Sequence, residues 1–163
     1  MAAYADYKFY KNNFYGDILA EDVASKWLCL ASDEIDSLTF GRLSFAFPTV
    51  DAHVEKVGKA VCAVAEALYN IDLQYKAAGV QQAADGSYRG AVSSISSGRE
   101  SISYSDNTAA TSIYAAAAVS AEERTKLISG IIVKYLANVP DANGINLLYA
   151  GGMHRVSKYD NGF

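Results

Sequence analysis

Residues 51–76 read DAHVEKVGKAVCAVAEALYNIDLQYK, and one set of apolar side chains recurs along them at alternating spacings of three and four residues. This spacing places the set on one face of an α-helix, which would be about 39 Å long at a rise of about 1.5 Å per residue. The set comprises Val54, Val57, Val61, Val64, Leu68, Ile71 and Tyr75. The pattern predicts a long central helix that packs within a small bundle, or alternatively pairs with a second copy as a coiled coil.

Shorter helices are predicted on both sides of this central helix. Apolar residues recur at every third or fourth position from about residue 19 to residue 38, which predicts an amphipathic helix there. Ser120 and Glu123 have the spacing of a capping box, so another helix should begin there and end at Asn138–Val139–Pro140. The Ala-rich stretch 107–119 is a weaker candidate for a helix, because Thr and Ser interrupt it.

Length and composition indicate one globular unit. The chain has 163 residues, 51% of them hydrophobic and 20% charged, which is the balance of a domain with a single core. The predicted fold class is mainly α: a small helical bundle with a long central helix, an extended loop or β-hairpin arm and an extended C-terminal tail. The helical domain is assigned to 1–140, with the arm at about 79–107, and the tail to 141–163.

The N-terminal stretch and the arm carry apolar residues outside the predicted helices. Six aromatic residues lie within the first 15 positions, too many to leave in water, so this stretch should fold back over its own helices or pack on a neighbouring subunit. The residues expected to dock in this way are Tyr4, Tyr7 and Tyr10. In the arm, Ile95 and Ile102 flank Gly98–Arg99, which is typical of a hairpin, although disorder is the alternative.

Candidate reactive residues are few and lack partners. Cys29 and Cys62 fall inside predicted helices without the spacing of a metal site or redox motif, so both are expected to be small buried residues. His53 and His154 have no neighbour at metal-ligand spacing. The close carboxylates are expected on polar helix faces or first turns, where they are solvated or matched to the helix dipole. These are Glu21, Asp22, Asp33, Glu34, Asp36, Glu122 and Glu123. No catalytic residue, metal or cofactor is predicted.

Charge and hydropathy restrict the partners. The net charge is -4, and residues 1–75 carry 6 basic against 11 acidic side chains, while residues 76–163 carry 8 against 7. A chain without a basic surplus is not expected to bind nucleic acid. No apolar run reaches the length of about 20 residues that spans a bilayer, and residues 1–14 lack the apolar core of an export signal. We therefore expect that the chain does not associate with a membrane. We also expect that it is synthesised in a cytoplasm.

Several stretches occur in an order that is distinctive as a set. They are Tyr4–Asn12, Ala31–Asp36, Thr39–Arg42, Val61–Glu66, Ser101–Tyr104, Tyr135–Ala137 and Leu147–Tyr149. This ordered set resembles the head-to-tail connector proteins of long-tailed bacteriophages, also called adaptor or head completion proteins. The resemblance covers most of the chain. The extension Met153–Phe163 goes beyond the family pattern.

The resemblance implies a structural virion protein at the head-tail interface, made in the host cytoplasm, and not an enzyme. It implies a homo-oligomeric ring, expected as a dodecamer, that binds the portal protein and a tail-side stopper or tail protein. The ring extends the exit channel, through which DNA passes without sequence-specific binding, and a net acidic chain suits such a channel. By this analogy, Leu147, Leu148 and Tyr149 contact the portal. The arm residues that reach an adjacent subunit are Ile95, Arg99, Ile102 and Tyr104.

Three alternatives stay open at this point. In the first, the chain is another phage assembly factor, such as a tail-completion protein or small packaging subunit, although the helix-turn-helix with a basic face that a packaging subunit should have is not evident. In the second, it is a small cytoplasmic enzyme with a pair of carboxylates whose pKa values are split by burial. In the third, it is a cytoplasmic dimer built on the apolar face of the long helix.

Overall fold

The computed structural model describes residues 3–77, 81–82, 88–89, 94–97, 100–103 and 112–149. The helices in these ranges are α1 (Tyr7–Asn12), α2 (Glu21–Leu38), α3 (Arg42–Phe45), α4 (Asp51–Ala77), α5 (Ile113–Val119) and α6 (Ala121–Leu136). The strands are β1 (Gln81–Gln82), β2 (Tyr88–Arg89), β3 (Ser94–Ser97) and β4 (Glu100–Ser103). The chain is therefore mainly helical, and the predicted helical bundle is confirmed.

The long helix α4 is the centre of the bundle, as its apolar pattern predicts. It packs against α1, α2, α5 and α6, and Val57, Val61 and Val64 on its apolar face are fully buried. Small residues on its other faces are buried as well, because neighbouring helices cover α4 on several sides; they include Ala60, Cys62, Ala65 and Ala67. Only the ends of the predicted apolar face differ, since Val54 and Tyr75 are exposed.

The caps of the shorter helices follow from local chemistry. α2 begins with Glu21 and Asp22, whose carboxylates are favoured in a first turn by the helix dipole. At the start of α6, the Ser120 hydroxyl accepts a hydrogen bond from the Glu123 amide at 3.3 Å. The Ser120 amide donates to the Ala116 carbonyl and so ends α5. One serine thus serves two helices, and only the serine half of the predicted capping box forms.

The strands lie between α4 and α5 and form two antiparallel pairs, β1 with β2 and β3 with β4. In the second pair, Ile95 lies opposite Ile102, which is the register that the sequence predicts for a hairpin around residues 98 and 99. The pair β1–β2 is not indicated by the sequence pattern. Arg99, Tyr104 and the extension Met153–Phe163 lie outside the described residues.

The N-terminal stretch folds back over its own helices, which is one of the two alternatives expected for it. The short helix α1 is capped by Asp6, whose side chain accepts a hydrogen bond from the Phe9 amide at 2.7 Å. Phe9 packs so closely over α4 that a Cβ added at Gly58 would lie 2.5 Å from its ring. A glycine on the central helix therefore makes room for an aromatic ring of α1.

Residues 138–149, named here the C-terminal hook, require a correction to the expected tail. Their described part is not extended: Pro140 and Asn146 form an antiparallel bridge, and Leu147 is fully buried in the core. Burial of Leu147 removes apolar surface from water, which stabilises the hook on the bundle. Residues 141–149 therefore belong to the bundle.

Among the helices of the described residues, none combines the length and apolarity needed to cross a bilayer.

Candidate interaction surfaces

The C-terminal hook is held in shape by its own polar side chains. Asp141 is nearly buried, and its carboxylate accepts hydrogen bonds from the amides of Asn143 at 2.8 Å and Ile145 at 2.9 Å. Asn146 donates to the Ala137 carbonyl at 2.7 Å and accepts from the Leu148 amide at 2.9 Å. These bonds satisfy backbone groups that no helix or sheet would satisfy, so the hook is a defined turn and not a free tail.

Arg42 connects the hook to α3. One guanidinium nitrogen donates to the Tyr149 carbonyl at 3.0 Å, and another lies 4.0 Å from the Asp141 carboxylate. The Ala142 amide also donates to the Ala46 carbonyl at 3.2 Å. Two segments almost a hundred residues apart in the chain are thereby joined at one end of the bundle.

Two phenylalanines are exposed in the α2–α3 turn and in α3 itself. Phe40 has a φ of +57°, which is uncommon for a bulky residue, and Gly41 follows with a φ of +70°. The Gly41 amide donates to the Asp36 carbonyl at 2.8 Å, so the left-handed turn closes the C-terminus of α2. Phe40, in this turn, is 63% exposed, and Phe45, the last residue of α3, is 90% exposed.

We use the name aromatic end surface for three exposed aromatic residues: Phe40 in the α2–α3 turn, Phe45 at the end of α3 and Tyr149 at the end of the hook. Tyr149 is 59% exposed and its backbone is tied to Arg42, which lies between the two phenylalanines in the chain. Exposed aromatic groups are typical of protein interaction sites. Tyr149 is one of the residues predicted to contact a partner, whereas Leu147 is a core residue and Leu148 is half-buried.

The far end of α4 carries a second group of exposed apolar residues. Leu73 and Tyr75 lie in its last turns, where residues 73–76 are all exposed. At a rise of about 1.5 Å per residue, Tyr75 lies about 36 Å along the helix from Asp51. Val54, near the start of α4, is exposed as well. Exposed apolar residues thus occur at both ends of the central helix.

The N-terminal tyrosines have intramolecular partners. Tyr4 donates from its hydroxyl to the Asp36 carboxylate at 2.8 Å and from its amide to the Ser32 hydroxyl at 3.1 Å. Burial, and then the bond to Asp36, raises the pKa of the Tyr4 hydroxyl. Tyr7 is half-buried and stacks on Tyr10, with ring centroids 6.1 Å apart. Tyr4 also stacks on Phe47, between α3 and α4, so the described contacts of Tyr4 and Tyr7 are with residues of this same chain.

Tyr10 is the most completely buried of these residues. Its hydroxyl donates to the Glu66 carboxylate at 2.6 Å and accepts from the amides of Ile18 at 2.9 Å and Leu19 at 3.0 Å. Burial, followed by the bond to Glu66, raises the pKa of Tyr10 to about 12. Burial also raises the pKa of Glu66. The hydroxyl thus makes one donated and two accepted hydrogen bonds, which is its full capacity. The two accepted bonds hold the segment that follows α1 against the bundle.

Cys62 lies one turn before Glu66 on α4 and is fully buried. Burial raises the pKa of its thiol to about 12, so the thiol stays protonated and unreactive near neutral pH. The expectation of a buried small residue is confirmed for Cys62, while Cys29 is half-buried. Within the described ranges, no group of three or more His, Cys, Asp and Glu side chains is arranged to hold a metal ion.

A cleft of about 270 Å³ separates α2 from α6. Its lining combines the apolar residues Leu38, Ile128 and Ile132 with the polar residues Glu34, Ser37, Arg124, Thr125 and Ser129. Glu34 and Arg124 approach to 3.5 Å across it, with both side chains a little under half exposed. A solvated pair of opposite charges neutralises itself and contributes little energy, so this cleft offers less for recognition than the aromatic end surface.

Phe40 and Phe45 are exposed aromatic residues that the sequence pattern does not single out. Both flank a Gly-containing turn, and aromatic residues beside a turn can be exposed by it, but the pattern alone does not distinguish them from core residues.

Comparison of the chain with protein-family models, with curated proteins and with solved structures finds no match.

Proposed function

We propose that this chain is a structural subunit of the head-to-tail connector of long-tailed bacteriophages. In this role it forms a homo-oligomeric ring between the portal and the tail-side protein, and the ring extends the channel through which DNA leaves the head. The ordered sequence resemblance, from Tyr4–Asn12 to Leu147–Tyr149, points to this family.

The single observation that carries the proposal furthest is the aromatic end surface. Phe45 is 90% exposed, and Phe40 keeps an unfavourable backbone conformation that holds its ring outward. Exposed aromatic side chains on an ordered turn lose little entropy on binding, which makes them effective contacts with another protein. We assign this surface, rather than Leu147, to the portal contact.

The exposed residues at the other end of α4 support the same role. A subunit that sits between two different proteins needs a contact surface at each end, and Leu73 and Tyr75 supply apolar groups about 36 Å from the start of α4. The rigid central helix fixes the spacing of the two surfaces. We assign Tyr75 and the adjoining arm to contacts with neighbouring subunits or the tail-side protein.

The test is binding of the full-length chain to purified portal complexes, with Phe45→Ser compared to Tyr15→Ser. Tyr15 is 81% exposed, so both changes replace an exposed aromatic by a small polar residue. Removing a side chain at the centre of an interface costs about 2 kcal/mol or more of binding free energy. Phe45→Ser should therefore weaken portal binding at least about thirtyfold.

Tyr15→Ser should bind the portal as the unmodified chain does. If the unmodified chain does not bind the portal complex of the phage that encodes it, the proposal is refuted. Equal binding of Phe45→Ser and Tyr15→Ser would move the portal contact away from the aromatic end surface.

A further inference from the structure

The C-terminal hook carries the dipeptide Asn143–Gly144 at an exposed position. Both residues are exposed, and a Cβ added at Gly144 would meet nothing within 4 Å. In an unconstrained chain, a glycine after an asparagine lets its backbone nitrogen approach the asparagine side chain, because no Cβ obstructs it. Asparagine is one of the chemically labile residues of proteins, and this neighbour makes it a site of spontaneous deamidation.

Deamidation here would proceed in two balanced steps. The Gly144 backbone nitrogen loses its proton and bonds to Cγ of the Asn143 side chain, while the Cγ–Nδ2 bond breaks and the side-chain nitrogen leaves as ammonia with that proton. Water then adds to one of the two carbonyls of the resulting five-membered imide and opens it to an aspartate or an isoaspartate. The net change is an amide and a water for a carboxylate and an ammonium ion, so position 143 gains a negative charge.

The folded hook opposes the first step. The Gly144 amide donates to the Asp141 carbonyl at 3.0 Å, and this bond favours the protonated nitrogen over the deprotonated form that attacks. The amides on either side, of Asn143 and Ile145, donate to one oxygen of the Asp141 carboxylate at 2.8 and 2.9 Å. Three successive amides are therefore held by one nearly buried residue, which restrains the backbone on both sides of the attacking nitrogen.

We propose that Asn143 is a deamidation site that reacts only when the hook opens, and whose isoaspartate product prevents the hook from closing again. An isoaspartate places one additional methylene in the main chain between the Asn143 and Gly144 positions. The amides of residues 143 and 145 then no longer have the spacing that lets both reach one oxygen of Asp141. The hook would thus act as a one-way latch, which rests on its own geometry and not on the proposed function.

The experiment follows deamidation of the full-length chain at neutral pH, both folded and in urea above its unfolding midpoint. Peptide mapping by tandem mass spectrometry assigns the modified position, because Asn161–Gly162 has the same two residues. The rate at position 143 in the folded chain equals the rate in the unfolded chain multiplied by the fraction of open hook. It should be at least about tenfold slower in the folded chain.

Asp141→Ala removes the acceptor of two amides and should raise the folded-chain rate at least about fivefold. Asp141→Asn is the matched control, because it keeps a side-chain oxygen as acceptor and should raise the rate less. Asn146→Ala removes the bonds to the Ala137 carbonyl and the Leu148 amide, and it should also raise the rate. It serves as the second hook variant if Asp141→Ala does not fold.

Two further measurements complete the test. Fluorescence of the buried Trp27 shows whether the bundle of each variant remains folded. Hydrogen–deuterium exchange of residues 138–149 should be faster in the isolated isoaspartate fraction than in the unmodified chain. Equal deamidation rates in the folded and unfolded chain would overturn the inference, as would an unchanged rate in the folded hook variants. Asp141→Asn reacting as fast as Asp141→Ala, or unchanged exchange in the isoaspartate fraction, would overturn it as well.

Discussion

Removal of the Tyr10 hydroxyl tests the polar cluster that fastens the N-terminal stretch to the bundle. In the variant Tyr10→Phe the ring keeps its place against Gly16, where an added Cβ would collide with it. The Glu66 carboxylate loses its donor at 2.6 Å, and the amides of Ile18 and Leu19 lose their acceptor. The change is therefore almost purely one of hydrogen bonding in a buried place.

The expected loss of unfolding free energy is about 3 kcal/mol. A hydrogen bond to a charged group contributes about 1.5–3 kcal/mol, and a buried donor left unsatisfied costs about 1–3 kcal/mol. The Leu19 amide falls in the second class because Leu19 is almost fully buried. The Ile18 amide contributes less, since Ile18 is partly exposed and water can replace the hydroxyl.

The assay is urea unfolding followed by fluorescence of Trp27, which is buried and packs edge-on against Tyr69 at a centroid distance of 5.8 Å. The matched control is Tyr15→Phe, because Tyr15 lies largely in solvent, and its loss should stay within about 0.5 kcal/mol. Losses of the same size in the two variants would refute the assigned role of the Tyr10 hydroxyl.

Three other outcomes follow from the same structure. Gly58→Ala should destabilise the protein by about 1–3 kcal/mol, because its Cβ would meet the Phe9 ring. Gly130→Ala should instead stabilise it by about 0.5–1 kcal/mol, since that Cβ would meet nothing within 4 Å. Thermal unfolding of the two variants checks both signs. The raised pKa of Tyr10, about 12 against 10.0 in an unfolded chain, means that its contribution is complete below pH 10 and is lost as the pH rises towards 12. Urea midpoints should therefore fall between pH 9.5 and about pH 11.5, and Tyr10→Phe should show a smaller fall. Ser120→Ala should cost about 1 kcal/mol through the lost cap of α6, and an unchanged midpoint would contradict that cap.

The helices with a long apolar period could be predicted from the sequence. α2, α4 and α6 lie within two residues of the predicted boundaries, apart from the last turn of α6, because burial of one helical face determines both period and position. α1 and α3 are too short to show a period. The exposure of Tyr75 could not be predicted either, because it depends on α4 extending past the helices that cover its earlier turns.

Which apolar side chains of the C-terminal stretch remain exposed could be predicted only in part, because their exposure depends on contacts between distant segments. Leu147 and Tyr149 are neighbours in an apolar stretch, yet one is buried and the other is exposed. The difference comes from Asp141, whose carboxylate shapes the hook, and from Arg42, which fixes its end. Nothing in the local pattern links residue 42 to residue 149, so the sequence indicates a sticky stretch without showing which side chains remain exposed.

The most direct test of the connector proposal is electron microscopy of the full-length chain mixed with its cognate portal complex. The account predicts a closed ring of chains seated on the portal, with density from the aromatic end surface in contact with it and the axial channel left open. Portal complexes that remain bare at saturating concentrations, while the chain stays a monomer in the same mixture, would contradict it.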